Sequence, residues 1–269
     1  DHNALNLDLS APWLQKVFNA YQQPHRFFHT LEHLRGICEA IIGQYANDEL
    51  LCAKLLLTAL FHDIVWFPQS STNEKFSLLS SGFGVTLNND VFSEIRNAII
   101  ATKNLSHGSE LATRFHPLDC AILLHGTPVD LLAYEFQIFR EFQHLSVEDY
   151  RKGRSAFFTR FSKKYPEAKP SMQFLVEYLE RRRPRVGLYA GSFNPSHIGH
   201  LSILEKAEAI FDKVIVAVGI NPEKKHIRNC KVENVLPFHE VVYYDSLIVD
   251  LIEKESELAD VTLIRGLRN

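Results

Sequence analysis

The sequence lacks the features of a membrane protein or of a protein from an oxidising compartment. Its longest apolar runs, such as residues 55–61, are far too short to span a bilayer, and no signal-like segment opens the chain. The four cysteines stand far apart without a C-x-x-C pair, which favours reduced thiols. We therefore expect a soluble, cytoplasmic protein that binds no membrane. Because the chain begins with Asp1 rather than Met, we expect an amino terminus that is either trimmed or unobserved.

Charge of one sign is also absent, since 29 basic and 32 acidic side chains leave a formal net charge of −3. A broad positive surface for a nucleic-acid polymer is therefore not expected. Apolar residues make up 46% of the chain and charged residues 23%, which is close to the globular average. At 269 residues the chain is long for one domain, so we expect two domains, each with its own core.

Two sequence patterns divide the chain. Residues 10–179 have helical apolar spacing almost throughout and predict an all-α domain. The arginine run at 181–185, interrupted by Pro184, breaks this pattern and predicts a solvated linker. We place the domain boundary there, with residues 1–183 in the first domain and residues 184–269 in the second.

Beyond the boundary, short β-branched strands alternate with helices. The expected strands are 186–190, 213–218 and 261–264, and the expected helices are 198–211 and 246–254. Such alternation predicts βαβ units and a parallel sheet, a Rossmann-like α/β fold whose ligands bind at the carboxyl ends of the strands. The predicted fold class is thus a multidomain protein with an all-α domain followed by an α/β domain.

Histidines and aspartates recur in the first half of the chain at His29, His33, the His62-Asp63 pair and Asp119. Imidazole and carboxylate groups suit a divalent ion and leave positions open for water and phosphate oxygens. We expect the first two histidines one turn apart on a helix, and the His-Asp pair on another helix. Any one of these histidines alone would more often be a hydrogen-bonded structural residue.

Five segments extend this pattern. They are YQQPHRFFHTLEHL at 21–34, ALFHDIVWFPQSSTNE at 59–74, ATK at 101–103, DCAIL at 119–123 and YRKGRS at 150–155. Together they resemble the predicted HD-superfamily metal-dependent phosphohydrolases over nearly the whole first domain. The resemblance implies metal-assisted hydrolysis of a small phosphorylated metabolite, with Mg or Mn as the ion and Fe, Ni, Co or Zn as alternatives.

The resemblance implies a set of four metal ligands, which are His29, His62, Asp63 and Asp119. His33 is the rival of His29, because the doubled HTLEH motif allows an alignment shifted by one turn. We expect His29 to be the direct ligand, since it stands between an aromatic and a small polar residue. Asp63 is also taken as catalytic, because it can bridge two ions.

Further residues lie near the site by the same resemblance. Asn73 and Glu74 follow the His-Asp pair, and Glu74 would position the attacking water. Lys103 would balance charge on the phosphoryl oxygens. His107 and His116 are candidates for a second metal site. An ordinary surface position is the alternative for Glu74 and Lys103.

In the second domain, GSFNPSHIGH at 191–200 directly follows the first expected strand. Glycine lets the backbone approach a phosphate, and a helix beginning near Ile198 directs the positive end of its dipole at anions. Histidines can donate hydrogen bonds to phosphate oxygens, and the motif is specific because it lies between a strand and a helix. The residues expected to bind nucleotide are Gly191, Ser192, Phe193, His197, Gly199 and His200.

This passage resembles the nucleotidyltransferase superfamily, and NPEKK at 221–225 with IRGLR at 264–268 resembles phosphopantetheine adenylyltransferases. The resemblance implies transfer of AMP from ATP, with Mg, to 4'-phosphopantetheine in coenzyme A biosynthesis. His197 departs from that family, which usually has Thr at this position. The residues implied for the phosphates and the nucleotide are Ser192, His200, Lys224, Arg265 and Arg268, of which His200, Lys224 and Arg265 are taken as catalytic.

Two departures leave alternatives open for the second domain. Residues 225–241 lack about one helix of the family pattern, and the chain stops at Asn269, before that family's later strands. The domain is therefore either truncated or a degenerate remnant. The protein is interpreted as a bifunctional enzyme, as a hydrolase with a nucleotide or coenzyme A precursor sensor, or as a scaffold. Polar residues at nearly every expected position favour an enzyme that acts on small phosphate-bearing molecules, and a homo-oligomer is left open.

Overall fold

The computed structural model describes residues 12–75, 77, 89–103, 108–193, 196–220 and 231–266. Contacts between Cα atoms divide the chain into two compact units. The first, here called the helical unit, comprises Asp1–Ile138 and Thr159–Met172. The second, called the sheet unit, comprises Phe139–Phe158 and Gln173–Asn269. The domain boundary expected after residue 183 stays a prediction.

The described chain before residue 182 is helical, as its apolar spacing predicts. Its elements include α1 (Pro12–Tyr21), α2 (Leu31–Tyr45), α3 (Glu49–His62), α4 (Asn89–Thr102), α5 (Glu110–Asp119), α6 (Ala121–His125), α7 (Pro128–Glu141), α8 (Val147–Lys164), a 3-10 turn at Pro166–Ala168 and α9 (Lys169–Arg181). Side chains cap several of these helix starts. Asp48 accepts the N–H of Leu51 at 3.0 Å, and Ser109 accepts the N–H of Ala112 at 3.1 Å.

The core of the helical unit forms around α3, which contacts α2, α4 and α5. Its sequence, ELLCAKLLLTALFH, is apolar on nearly all sides, as a helix surrounded by other helices requires. Leu55, Leu57 and Phe61 of α3 pack in one apolar cluster with side chains of α1, α2, α4 and α5. The last residue of this central helix, His62, is therefore carried into the interior, where it is only 1% exposed.

The sheet unit contains a four-stranded parallel sheet in the order β3-β2-β1-β4. Its elements are β1 (Arg185–Gly191), α10 (Ile198–Glu208), β2 (Lys213–Gly219), α11 (Val232–Val235), β3 (Glu240–Tyr244), α12 (Ile248–Ser256) and β4 (Asp260–Ile264). Strands that alternate with helices around a parallel sheet confirm the predicted α/β architecture of this part of the chain.

The strand β3 was not among the three strands predicted from the sequence. It pairs with β2 alone, and each of its five residues is only partly buried, so the strand lacks the continuous burial of β2. Its first residue, Glu240, forms an ion pair of 3.1 Å with the buried Lys213 of β2. The same ammonium donates to the carbonyl of Leu145 at 2.8 Å. A long-range buried charge pair thus helps to place this edge strand.

The arginine run was predicted to be a solvated linker, and Arg181, Arg183 and Arg185 are exposed, but two of them also have partners in the sheet unit. Arg183 donates to three carbonyl groups between residues 256 and 259, at 2.6 to 3.0 Å, and pairs with Asp260 at 3.0 Å. Arg185 pairs with Asp212 at 2.8 Å. Both arginines are therefore held within the sheet unit, Arg183 by carbonyl groups at and just after the end of α12 and Arg185 by the carboxylate of Asp212.

No helix in the described ranges is long and apolar enough to cross a membrane. The three cysteines that these ranges include, Cys38, Cys52 and Cys120, are free thiols and are half-buried. Cys230 lies outside the described residues.

Candidate functional site

The predicted metal ligands meet in one cluster of the helical unit. Nε2 of His33 lies 3.2 Å from Oδ1 of Asp119, and Nε2 of His62 lies 3.4 Å from the same oxygen. Nε2 of His62 also lies 3.1 Å from Oδ2 of Asp63, and Nε2 of His29 lies 3.8 Å from that oxygen. Ligand atoms of His33, His62 and Asp119 all lie within 4.8 Å of one another. Each of the two rival histidines therefore faces a different carboxylate, and the preference for His29 stays a prediction.

Two local expectations for this cluster were wrong. His29 does not share a helix with His33, because α2 begins two residues after His29. The helix α3 ends at His62, so Asp63 lies just beyond it, with φ −120° and ψ 23°. Loop backbone therefore carries His29 and Asp63, whereas helices carry the other three ligands, which include Asp119 at the end of α5.

His62 presents one ring nitrogen to the carboxylates. Its Nδ1 donates to the carbonyl of Ala59 at 2.7 Å, which leaves Nε2 to face Asp63 and Asp119. This Nε2 is buried, and despite its short distances it makes no hydrogen bond of acceptable geometry. An imidazole whose second nitrogen is bound to a carbonyl is the usual arrangement of a metal-ligating histidine.

The electrostatics of the cluster also suit a cation. Burial opposes ionisation of Asp63, but the nearby charge of His62 outweighs burial and lowers the pKa of Asp63 to about 2. At Asp119 burial is outweighed by the hydrogen bond with His33 and by the charge of His62, and the pKa of Asp119 falls well below the usual range. Burial of His62 is outweighed in turn by Asp63, which raises the pKa of His62 well above its usual value. Two ionised, half-buried carboxylates beside three imidazoles are a donor set that fits a divalent ion.

Two of the predicted neighbours have partners in the loop that follows the His-Asp pair. The side chain of Asn73 accepts the N–H of Phe67 at 3.1 Å and donates to the Phe67 carbonyl at 2.9 Å. The ammonium group of Lys103 donates to the carbonyl of Ser71. Both residues thus brace the loop between residues 67 and 73, and the phosphate role of Lys103 stays a prediction.

The other predicted neighbours are placed less directly. Glu74 lies half-buried in a helical stretch at 73–75, and its role toward water stays a prediction. His116 is buried on α5, three residues before Asp119. His107 lies outside the described residues, so the second metal site stays a prediction as well.

Tyr21 and Arg26, to which the sequence assigned no role, touch the ligand segments. Arg26 is only 5% exposed and donates to the carbonyl groups of His29 at 3.2 Å and Asp63 at 2.7 Å. The hydroxyl of Tyr21 accepts the N–H of Asp63 at 3.3 Å. In the sequence, only their position inside the motif at 21–34 indicated that these two residues lie near the site. The residue type of Arg26 argued the other way, because an arginine in a polar stretch is usually exposed.

Aromatic rings enclose the two rival histidines. The ring of Trp66 stacks on His29, with 3.7 Å between centroids and 28° between planes. The ring of Phe28 lies 5.1 Å from that of His29 and 4.5 Å from that of His33. These contacts restrict the orientation of both imidazoles beside the carboxylates.

In the sheet unit, the loop after β1 leads into α10 at the carboxyl edge of the sheet. Ser192 is exposed there, and Phe193 has a positive φ of 47° with its ring buried against Tyr189, at 5.1 Å between centroids. A Cβ atom at Gly191 would lie 3.1 Å from the Phe193 ring, so glycine leaves the room that this turn needs. The close packing explains why a non-glycine residue adopts a left-handed conformation here.

The two histidines of the motif cap the helix α10 reciprocally. Nδ1 of His197 accepts the N–H of Gly199 at 3.2 Å, and Nδ1 of His200 accepts the N–H of His197 at 3.2 Å. Their rings stack with 3.7 Å between centroids. Because both Nδ1 atoms are acceptors, the proton of each neutral ring resides on Nε2, which is then a donor suited to phosphate oxygens.

Arg265 reaches the same edge of the sheet from the neighbouring strand. It directly follows β4, which pairs with β1 so that Ile264 lies opposite Tyr189, and it is exposed. A Cβ atom at Gly266 would lie 3.0 Å from the side chain of Ile203, which places this segment beside α10. The carboxyl ends of β1 and β4 and the start of α10 thus form one region. Two other predicted residues, Lys224 and Arg268, lie outside the described residues.

The family model for cytidylyltransferase-like proteins matches residues 188–240, which include the capped loop. A phosphopantetheine adenylyltransferase from Clostridium perfringens is 44% identical over 97 residues, covering 32% of this chain and 55% of the relative. Those from Rhodopirellula baltica and Porphyromonas gingivalis are each 35% identical and are covered to 49% and 60% of their length.

The chain thus spans about half the length of the curated relatives it matches. No solved structure matches the chain. The protein contains a cytidylyltransferase-like domain with homology to phosphopantetheine adenylyltransferases.

Proposed function

We propose that the sheet unit binds ATP with Mg and transfers AMP to 4'-phosphopantetheine, a step of coenzyme A biosynthesis. The reciprocal capping of His197 and His200 carries this proposal, because it directs two ring donors and a helix amino terminus at one place. The similarity to phosphopantetheine adenylyltransferases supports the choice of substrates.

The reaction would proceed by direct attack of the substrate phosphate on the α-phosphorus of ATP, with pyrophosphate as the leaving group. His200 would donate to the phosphate oxygens and Arg265 would supply positive charge from the end of β4, so that both stabilise the charge that develops. Ser192 would donate its hydroxyl to the same phosphates, and no residue of the chain would form a covalent bond to substrate.

The adenylyltransferase is tested by mixing the full chain with ATP, Mg and 4'-phosphopantetheine and measuring pyrophosphate release. We expect release that His200→Ala abolishes. ATP binding in calorimetry without pyrophosphate release would support the alternative, a domain that senses nucleotide or a coenzyme A precursor. An absence of ATP binding would contradict both interpretations.

We propose further that the helical unit is an HD-type metal-dependent phosphohydrolase of small phosphorylated metabolites. The observation that carries this proposal is the convergence of His33, His62 and Asp119, with Asp63 and His29 beside them. The bound ion, Mg or Mn by the oxygen and imidazole set, would activate water and polarise the phosphoryl group. The two carboxylates and the imidazoles would hold it, and Asp63 would also orient the water.

The hydrolase is tested by measuring metal content and then phosphate release from a panel of nucleotides, sugar phosphates and pantetheine phosphates. We expect His62→Ala and Asp119→Ala to lose hydrolysis, and His125→Ala, an exposed residue at the end of α6, to retain it. Full hydrolysis in the presence of a chelator would contradict the proposal. Turnover of 4'-phosphopantetheine or coenzyme A would indicate that both units act on one set of metabolites.

A further inference from the structure

Two ligands of the candidate metal centre, His29 and Asp63, share a buried arginine. Nη1 of Arg26 donates to the carbonyl of Asp63 at 2.7 Å and to the carbonyl of His29 at 3.2 Å. Nη2 donates to the carbonyl of Ile64 at 3.0 Å. One planar guanidinium group therefore joins the loop before α2 to the loop after α3, which are more than 30 positions apart in the chain.

A tyrosine completes this connection on the opposite side of Asp63. The hydroxyl of Tyr21 accepts the N–H of Asp63 at 3.3 Å and donates to the carbonyl of Ala59 at 3.2 Å. The guanidinium carbon of Arg26 lies 5.1 Å from the centroid of the same tyrosine ring. Both backbone polar groups of Asp63 are thus bound by side chains that are themselves buried.

Side-chain hydrogen bonds to the backbone are needed at His29 and Asp63, because the other three candidate ligands lie on helices. Helical hydrogen bonds already hold the backbone of His33 and His62, and Asp119 closes α5. His29 and Asp63 lie outside the helices, and a displacement of either loop would move a ligand atom by more than a metal–ligand bond tolerates.

We propose that Arg26, assisted by Tyr21, is a positioning residue that holds His29 and Asp63 in the geometry that binds the metal ion. The inference rests on the metal centre of the proposed hydrolase and extends it to residues that bind no ion themselves. Arg26 acts on the ligands through their carbonyl groups, in the way that outer hydrogen-bond partners commonly orient metal ligands.

The test is the Mn²⁺ affinity of the full chain by titration calorimetry. Arg26→Lys keeps the charge but replaces the planar fork by a single ammonium, which cannot join the same three carbonyl groups. We expect it to weaken Mn²⁺ binding about 10- to 100-fold, the usual effect of removing a second layer of ligand support. In the His29→Ala background the same substitution should weaken Mn²⁺ binding by a smaller factor, because one of the two ligand side chains that Arg26 positions has been removed while its backbone carbonyl remains.

A matched control is present in the sheet unit. Arg183 also donates to three carbonyl groups, so Arg183→Lys replaces an arginine with the same number of carbonyl partners in the unit that does not contain the metal centre. We expect this variant to bind Mn²⁺ as the unsubstituted chain does. Urea unfolding in the presence of a chelator measures the stability of each variant without the ion.

If Arg26→Lys lowers the urea midpoint, its weaker Mn²⁺ binding could come from lost stability. The variant Tyr21→Phe then tests the positioning role. This variant keeps the buried ring and removes only the hydroxyl at the N–H of Asp63, and we expect Mn²⁺ affinity to fall about 2- to 10-fold. Unchanged affinity in Tyr21→Phe and in any folded Arg26→Lys would overturn the positioning role and leave the metal centre intact. No Mn²⁺ binding by the unsubstituted chain would overturn the metal centre, and the positioning role with it.

Discussion

Nε2 of His62 lies 3.1 Å from Oδ2 of the next residue, Asp63, although only His62 belongs to α3. The chain leaves the helix at this point, and the change of direction brings the side chains of two consecutive residues together. Nδ1 of the same ring is bound to the carbonyl of Ala59, which fixes the ring against the helix. The end of α3 thus places the side chains of His62 and Asp63 side by side in the candidate metal centre.

Divalent metal should stabilise the helical unit, because two half-buried carboxylates both lie within 3.4 Å of Nε2 of His62. At a Mn²⁺ concentration of 100 times Kd, we expect a gain of about 2.7 kcal/mol in the free energy of unfolding. Thermal unfolding followed by tryptophan fluorescence measures the gain, since both tryptophans, Trp13 and Trp66, belong to this unit. Asp119→Asn should abolish it, and an equal gain in that variant would count against the assigned ligand.

The two histidines of the α10 cap should respond differently to substitution. His200→Ala removes a charge-assisted donor, and we expect ATP affinity to fall about 10- to 100-fold. His197→Thr should keep most of the affinity, because threonine also caps a helix amino terminus. Calorimetry with ATP and Mg measures both effects. His239→Gln, at a histidine paired with Glu208, is the control, and its affinity should remain unchanged.

Acid should weaken the sheet unit through His144. Burial and the charge of Lys213 lower the pKa of His144 from 6.5 to about 4, so the folded chain keeps this ring neutral where the unfolded chain binds a proton. Stability from this group is complete above pH 6.5 and is lost as the pH falls from 6.5 to about 4. Hydrogen exchange of β2 and β3 amides across this range should show the loss. A His144→Gln variant with an equally steep loss would assign the effect to another group.

Two glycines of the sheet unit should respond to alanine with opposite signs. A Cβ atom at Gly187 of β1 would lie 2.6 Å from Ile264 and 2.7 Å from Phe211, so Gly187→Ala should lower the free energy of unfolding by about 1–3 kcal/mol. At Gly153 of α8 no heavy atom of the described residues lies within 4 Å, and Gly153→Ala should raise it by about 0.5–1 kcal/mol. Urea unfolding compares the two. An unchanged free energy of unfolding in Gly187→Ala would mean that the side chains of Ile264 and Phe211 move aside.

Much of the fold was predictable from local pattern. The helical spacing of the first half, the alternation of strands and helices in the second, and the position of the glycine-histidine motif between β1 and α10 all appear in the structure. The edge strand β3 was not predictable, since its partly buried residues show neither alternation nor a continuous apolar run.

The candidate metal centre was predictable in its members and not in its geometry. The sequence alone identified His62, Asp63 and Asp119 as candidate ligands, because imidazole and carboxylate side chains bind divalent ions. The loop positions of His29 and Asp63 depended on where two helices end, which is the least certain feature of a sequence pattern. Arg26 could not be recognised, because only its burial against distant carbonyl groups distinguishes it from a surface arginine.

The sequence by itself determined most of the helices and strands, because these depend on neighbours within a few residues, and it identified the imidazole, carboxylate and guanidinium groups of the two candidate sites. Tertiary structure decided which of these side chains meet. Asp119 approaches His33 and His62 only because α5 packs against α2 and α3. Arg265 reaches the edge beside Ser192 only because β4 pairs with β1. Contacts of this kind arise from burial of apolar surface over the whole unit, a sum that no short stretch of sequence contains.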